Sequence, residues 1–279
     1  MTRSAGTPEA RGRRPSPPAE IDVTVPSVAR IYDYVLGGKE NFESDRAAVR
    51  GLLRSLPEAA QPARENRAFL RRAVRYLVAE AGIRQILDLG SGLPTEGNVH
   101  EVAQAIDPSV HVVYVDVDPV VLVHGRALLA RSPHTAVVTA DVREPDSIFA
   151  DPHVLDLIDP ARPFAILLAG VLHHLPDADA PVGVVDDLVA RLPVGGHLLI
   201  SSFLGGDHPR SRELEQAFRQ NRISAARFRT WPEQRRFFAG LEMVEPGLVY
   251  VNDWRPDADT PTDSPVHTLH VAGVGRKTA

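Results

Sequence analysis

The chain contains no cysteine at all. Disulfides, thiolate nucleophiles and cysteine-bound metal are therefore excluded together. Lysine is nearly absent, with only Lys39 and Lys277 against many arginines. Positive charge is not in excess either: the formal net charge is −5, so no general attraction draws the chain to nucleic acid or to an acidic membrane. No apolar run reaches the roughly 18 residues a bilayer-spanning helix needs. The first residues lack the basic start and apolar core of a secretory signal, which makes the cytoplasm the expected compartment. What remains is ordinary for a globular chain: 279 residues, 43% hydrophobic and 24% charged. That length suits one large α/β domain with an N-terminal appendage.

Residues 1–20 hold Arg3, Arg11, Arg13, Arg14 and several prolines with almost no large apolar side chain. Such a stretch cannot bury enough surface to offset its ordering entropy and reads as a disordered tail. Residues 21–82 read as an N-terminal helical extension. Ser27 is placed to cap a helix carrying Val28, Ile31, Tyr32 and Val35, and Gly37-Gly38 interrupts it. A second helix is expected over Ala63–Ala81, with Phe69, Leu70, Ala73, Val74 and Leu77 at helical spacing and Gly82 ending it.

From residue 83 to 279 apolar runs alternate with helical segments. The runs are Ile86–Leu89, Val110–Val115, Ala136–Val138, Phe164–Ala169 and His197–Ser201. They are rich in Val, Ile and Leu with little polar alternation, as strands covered on both faces require. The last two runs, Met243–Val251 and Val266–Val274, are joined by a Pro/Asp/Thr-rich loop and are expected to pair antiparallel. The fold class is α/β: a seven-stranded, mostly parallel sheet closed by an antiparallel hairpin and preceded by helices.

Asp88-Leu89-Gly90-Ser91-Gly92 sits where the first strand hands over to a helix. Glycines at that corner let backbone amides approach a ligand closely. Thr95 occupies the place where the dinucleotide fingerprint has its third glycine, which argues against pyrophosphate and an NAD-dependent oxidoreductase. An acidic opening residue, Asp88, suits a cationic ligand better. Asp116 ends the second run, where a carboxylate can accept both hydroxyls of a ribose. Asp118-Pro119 reads as a helix cap. Asp141 ends the third run and is placed either to accept from an adenine amine, with the Val142 N–H facing the ring, or to cap the next turn.

These residues resemble the first motifs of the class I, Rossmann-like methyltransferases. Arg30-Ile31-Tyr32-Asp33-Tyr34, Gly37-Gly38-Lys39-Glu40-Asn41-Phe42, Glu65-Asn66-Arg67-Ala68-Phe69 and Gly92–His100 resemble, more narrowly, an actinobacterial S-adenosyl methyltransferase family long catalogued as a domain of unknown function. The resemblance covers Pro26 to the C-terminus. It implies S-adenosylmethionine as cofactor, held by Asp88, Gly90, Ser91, Gly92, Asp116, Val117, Asp141, Val142, Ala169 and Gly170 together with Tyr32 and Asn66. With Gly37-Gly38 allowing a sharp bend, Tyr32 and Asn41 are placed to close over a ligand. It supplies no acceptor; a small molecule is expected, with neither nucleic acid nor membrane as partner and no indication of oligomeric state.

Ala169-Gly170-Val171-Leu172-His173-His174-Leu175 follows the fourth run, next to the cofactor crevice. His173 and His174 have the right pKa range for proton transfer, or they wall the pocket without acid–base work. If the stretch is extended they point to opposite sides, and only one faces the acceptor. Adjacent histidines without clustered carboxylates make no metal site. Asn66 and Arg67 are placed to reach a carboxylate. Asp177 and Asp179 are expected to cap a helix at Pro181, and arginines over Arg210–Arg229 to form a solvated helical face. A cofactor-binding sensor or scaffold without catalysis carries the same motifs.

Overall fold

A computed structural model describes residues 21–94, 97–129 and 132–279. The expected tail over 1–20 and the Thr95 position lie outside the described residues.

Five parallel strands come first along the chain: β1 (Gln85–Leu89), β2 (His111–Asp116), β3 (Thr135–Thr139), β4 (Ala165–Ala169) and β5 (His197–Phe203). Three antiparallel strands follow, β6 (Glu242–Met243), β7 (Val249–Tyr250) and β8 (His270–Arg276). The order is β3-β2-β1-β4-β5-β8-β6, with β7 also on β8. The chain reverses direction of winding between β1 and β4, which opens a crevice at the strands' carboxyl ends. The expected hairpin is present with β8 inserted against β5, Phe203 opposite His270. It differs from the expected runs at both arms. Pro246, which has no N–H to give, falls in the gap between β6 and β7, and Val266–Leu269 turns before β8 begins.

Helices cover both faces: α1 (Val28–Val35), α2 (Glu43–Ser55), α3 (Ala60–Ala79), α4 (Val99–Ile106), α5 (Pro119–Leu129), α6 (Pro145–Phe149), α7 (Pro152–Leu157), α8 (Pro181–Arg191), α9 (Ser211–Gln220) and α10 (Trp231–Arg236). Side chains alternate along β1, so Leu87 and Leu89 join one core and Ile86 the other. On the second face Phe69, Leu70, Ala73, Val74 and Leu77 of α3 pack against Trp254 and the strands, as their spacing predicts. Gly82 does end that helix: it adopts φ +72°, and the Ile83 N–H reaches back to the Leu77 carbonyl.

Several local expectations are corrected. The Ser27 side chain caps nothing; its hydroxyl instead donates to Asp118. Asp118 does cap α5, accepting from Val120 N–H at 2.9 Å. Asp177 and Asp179 do not cap α8, whose first residue follows Ala180. Asp177 pairs with Arg227 and Arg229, and Asp179 with Arg143. The helix expected to reach Arg229 stops at Gln220, and Arg222 turns left-handed at φ +56°. Arg229 is consequently no solvated residue: it is 4% exposed.

Candidate functional site

Along the sheet's carboxyl edge, the β3, β2 and β1 ends carry acids. Gly90 has φ +68°, and a Cβ there would stand 2.6 Å from Val171 Cγ2. Both backbone freedom and close approach therefore require glycine. The Gly90 and Ser91 N–H groups donate to the Val115 carbonyl, which bends the chain back over β2. Gly92, at φ +67° with open space around its Cβ position, donates its N–H to Asp116 Oδ2 at 2.8 Å. Asp116 Oδ1 takes the Asp118 N–H at 2.9 Å. Asp116 is thus a bridge between the glycine turn and the start of α5, 8% exposed, and burial pushes its carboxyl up. Asp88, 4% exposed, is pushed up to about 7 by burial, opposed by the Arg67 guanidinium and reinforced by the Asp116 charge.

Val117, beside Asp116, is 64% exposed and lines the cavity, an apolar ledge such as a flat ring would cover. Asp141 fulfils the turn-forming alternative: it accepts the Arg143 N–H at 2.9 Å and pairs with the Arg143 guanidinium. Those bonds hold its carboxyl below the usual carboxylate range. Val142 lines the same wall.

The β4, β5 and β8 ends differ in kind. Gly170, at φ +81°, lies where a Cβ would come within 3.2 Å of Asn66 Nδ2. Asn66 Oδ1 accepts from Ser201 Oγ at 2.6 Å, its Nδ2 donates to the Tyr32 hydroxyl at 3.3 Å, and Tyr32 donates to the Ala63 carbonyl at 3.0 Å. Asn66 and Tyr32 do line the cavity beside Ala169 and Gly170. They do so as a fixed chain tying α1 and α3 to β5. Of the other N-terminal motif residues, Asp33 accepts from Asn41 Nδ2 and Glu40 N–H, and a Cβ at Gly38 would collide with its carboxylate. That motif builds the turn between α1 and α2.

The histidine pair sits on a 3-10 turn, Leu172–His174, rather than on extended chain. Both rings therefore line the cavity, their centroids 4.2 Å apart. The Phe203 N–H donates to His173 Nδ1 at 3.4 Å, which puts the proton of the neutral ring on Nε2. His174 Nδ1 meets Ser224 Oγ at 2.8 Å. Burial drives His173 well below the ordinary histidine range and His174 to about 4, so both are neutral at pH 7.

The turn is propped from behind. Arg229 donates to the carbonyls of Leu172 and Leu175 at 2.9 and 3.0 Å, and the Arg227 N–H to the His173 carbonyl at 2.9 Å. Neither role was legible, because a helical face was expected there. Phe203, Phe218 and His270 were also missed as wall residues; the one available signal was that Phe203 lies two residues beyond the fifth apolar run, which the strand extends to include.

Both halves open into one cavity of about 880 Å³, at the upper end of the usual range for small-molecule sites. Above it, α1 is latched to the β2 edge: Ser27 bonds to Asp118, and Arg30 pairs with Asp45 at 3.0 Å and Asp118 at 3.7 Å. Among the described residues no group of three or more His, Asp or Glu is arranged to hold a metal ion. Nor is any helix there long and apolar enough to cross a membrane.

Residues 14–278 match the model of the S-adenosyl methyltransferase family. The chain is similar to a Thermobifida fusca YX protein provisionally assigned as a methyltransferase: 47% identity, TM-score 0.88, covering 94% of this chain and 99% of that one. It is similar also to a DUF574 family protein of Streptomyces avermitilis MA-4680: 39% identity, TM-score 0.88, covering 92% and 100%. An O-methyltransferase family 2 protein of Planctomyces limnophilus DSM 3776 shares the fold at 18% identity and TM-score 0.50, covering 89% and 65%. No curated protein matches the chain.

Proposed function

The chain belongs to the S-adenosyl methyltransferase family, and from that premise we propose that it binds S-adenosylmethionine on the β1–β3 edge and methylates a small molecule held against β4, β5 and β8. The observation that carries this reading is Asp116, a buried carboxylate at the end of β2 that faces the cavity while bracing the glycine turn. Its oxygens retain lone pairs for the two hydroxyls of a ribose. Asp88 offers a second buried carboxyl where an ammonium group would be welcome, since a cation nearby favours its charged form. Val117 and Val142 give the adenine a flat apolar bed. Gly90 and Gly170 add no side chain of their own to the floor between β1 and β4, which keeps the switch point open to a ligand.

Bound S-adenosylmethionine supplies a methyl group activated by its positive sulfur. The chain's own contribution is alignment, exclusion of water by the latched α1, and a wall of neutral imidazoles opposite the acids. Holding two reactants in line can supply much of the rate gain in such a displacement. A purely cofactor-binding sensor would share the acidic edge; the cavity's extension past His173 favours a second ligand and hence catalysis.

Equilibrium titration of the purified protein with S-adenosylmethionine and with NAD tests the reading. Saturable binding of the first and none of the second is expected. Tight NAD binding without S-adenosylmethionine binding would replace it with an oxidoreductase.

A further inference from the structure

The acceptor half of the cavity has a chemistry of its own. The charged side chains that line the cavity sit on the β1–β3 edge, on the segment that leads into and forms α1, at Arg67 facing Asp88, or at Asp179, which is paired with Arg143 of the β3 edge at 3.4 Å. Towards β5 and β8 the lining turns to Ile31, Val35, Leu52, Phe203, Phe218 and Ile223. Phe203 is sandwiched, stacked on His270 at 4.8 Å and 12° and on Phe228 at 4.8 Å and 17°. His174 lies parallel to Phe218 at 5.9 Å and 11°.

His270 itself is 3% exposed, and neither of its ring nitrogens has a partner in hydrogen-bonding geometry. Burial lowers it to about 3, an effect the neighbouring Pro62 carbonyl only partly opposes. It serves this wall as a neutral aromatic ring. With the nitrogens of His270 buried away from the cavity, the imidazole atoms left to a ligand are the Nε2 edges of His173 and His174, because Nδ1 of each is taken by Phe203 N–H and Ser224.

We propose, resting on the function above, that this half receives an uncharged, flat, hydroxyl-bearing aromatic molecule, which lies between the ring walls and presents its hydroxyl to the His173–His174 turn. The exclusions are physical. An anionic acceptor would lose its hydration here and meet no cation on the cavity wall, since Arg229 behind the turn is already taken by Asp177 and the Leu172 and Leu175 carbonyls, and burial of an unpaired charge is strongly unfavourable. A tertiary amine acceptor would become a permanent cation with no carboxylate beside it. Methylation at a hydroxyl oxygen breaks O–H and forms O–C, with the pair from the broken carbon–sulfur bond staying on sulfur. The proton passes to an imidazole nitrogen and on to solvent, since burial holds His174 at about 4 and the ring does not keep the charge, and the ether product is neutral. His173, with its proton already on Nε2, donates to the oxygen. His174 receives the proton when its Nδ1–H donates to Ser224.

Three flat probes of one size test this: 2-naphthol, 2-naphthoate and 2-naphthyl-trimethylammonium, titrated calorimetrically with and without saturating S-adenosylhomocysteine. We expect 2-naphthol to bind more than about tenfold tighter than either ion. Equal or tighter binding of either ion, or no binding of 2-naphthol, overturns the inference. The location is tested by Ala225→Trp, an exposed lining residue next to Ser224 whose enlargement blocks this half. This variant should lose 2-naphthol while keeping S-adenosylhomocysteine; unchanged 2-naphthol binding refutes the placement. Failure to bind S-adenosylhomocysteine would refute the proposed cofactor instead, and the probe titrations without it would still decide the acceptor class.

Discussion

The two ends of one sheet edge treat charge in opposite ways. At β1, β2 and β3 the strand ends carry Asp88, Asp116 and Asp141, two of them buried and one tied to Arg143. At β4, β5 and β8 the corresponding positions hold the His173–His174 turn, Phe203 and His270, with no buried charge facing the cavity. Yet both ends use the same backbone device, a left-handed glycine at the strand exit, Gly90 on one side and Gly170 on the other. Local geometry makes the crevice, then, and side-chain chemistry divides it. Buried carboxylates are costly unless something positive or hydrogen-bonding meets them, whereas neutral rings ask for none.

The strongest way to break the comparison is Asp116→Ala. Loss of charged hydrogen bonds to ligand and turn should weaken S-adenosylhomocysteine binding about 100-fold or more by calorimetry. Binding of 2-naphthol should stay within about threefold, as the halves are chemically separate. Arg229→Met attacks the other side. It strands the carbonyls of Leu172 and Leu175 and should cost about 2–3 kcal/mol in denaturant unfolding. It should weaken 2-naphthol far more than S-adenosylhomocysteine.

A smaller contrast lies within the acidic half. Gly90→Ala meets both a left-handed φ and Val171 at 2.6 Å, and should cost about 2–3 kcal/mol. Gly92→Ala meets only the left-handed φ and should cost about 1 kcal/mol. Equal losses in thermal unfolding would mean that the close approach of Val171 is irrelevant.

The pH dependence gives the smallest effect. Asp88 holds its proton up to about 7, against 3.8 ordinarily, so the folded state binds more protons than the unfolded one between those values. Its contribution to stability therefore falls as pH rises from about 4 to about 7 and is level above. An ammonium group beside Asp88 favours the ionised form, so the affinity for S-adenosylhomocysteine, which carries one, should rise by at most about tenfold per pH unit up to that point. Asp88→Asn should flatten the rise. A curve that is flat in the parent protein would show that no proton leaves Asp88 on binding.

The sheet was legible because its strands are unbroken runs of Val, Ile and Leu, and α3 because its apolar positions keep helical spacing. Asp88, Gly90, Gly92 and Asp116 were legible because a strand exit needs few residues and each acts close to home in sequence. Asp141 stood at two roles, and its pairing with Arg143 favours the turn. The acceptor half could not be read in the same way. Its wall is assembled from residues far apart in the chain, Phe203 and His270 by antiparallel register and Ser224 by a hydrogen bond to His174. The His173–His174 stretch has no pattern to separate a 3-10 turn from extended chain, so its two rings were expected on opposite sides. Arg227 and Arg229 looked like helix surface because the chain's turn at Arg222 leaves no glycine or proline as a marker.

The most direct test of the divided cavity is co-occupancy. Calorimetric titration of 2-naphthol into the protein saturated with S-adenosylhomocysteine should give the same affinity as without it, or a tighter one. Loss of 2-naphthol binding on saturation would mean that both ligands compete for one site, and the account of two chemically distinct halves would be contradicted.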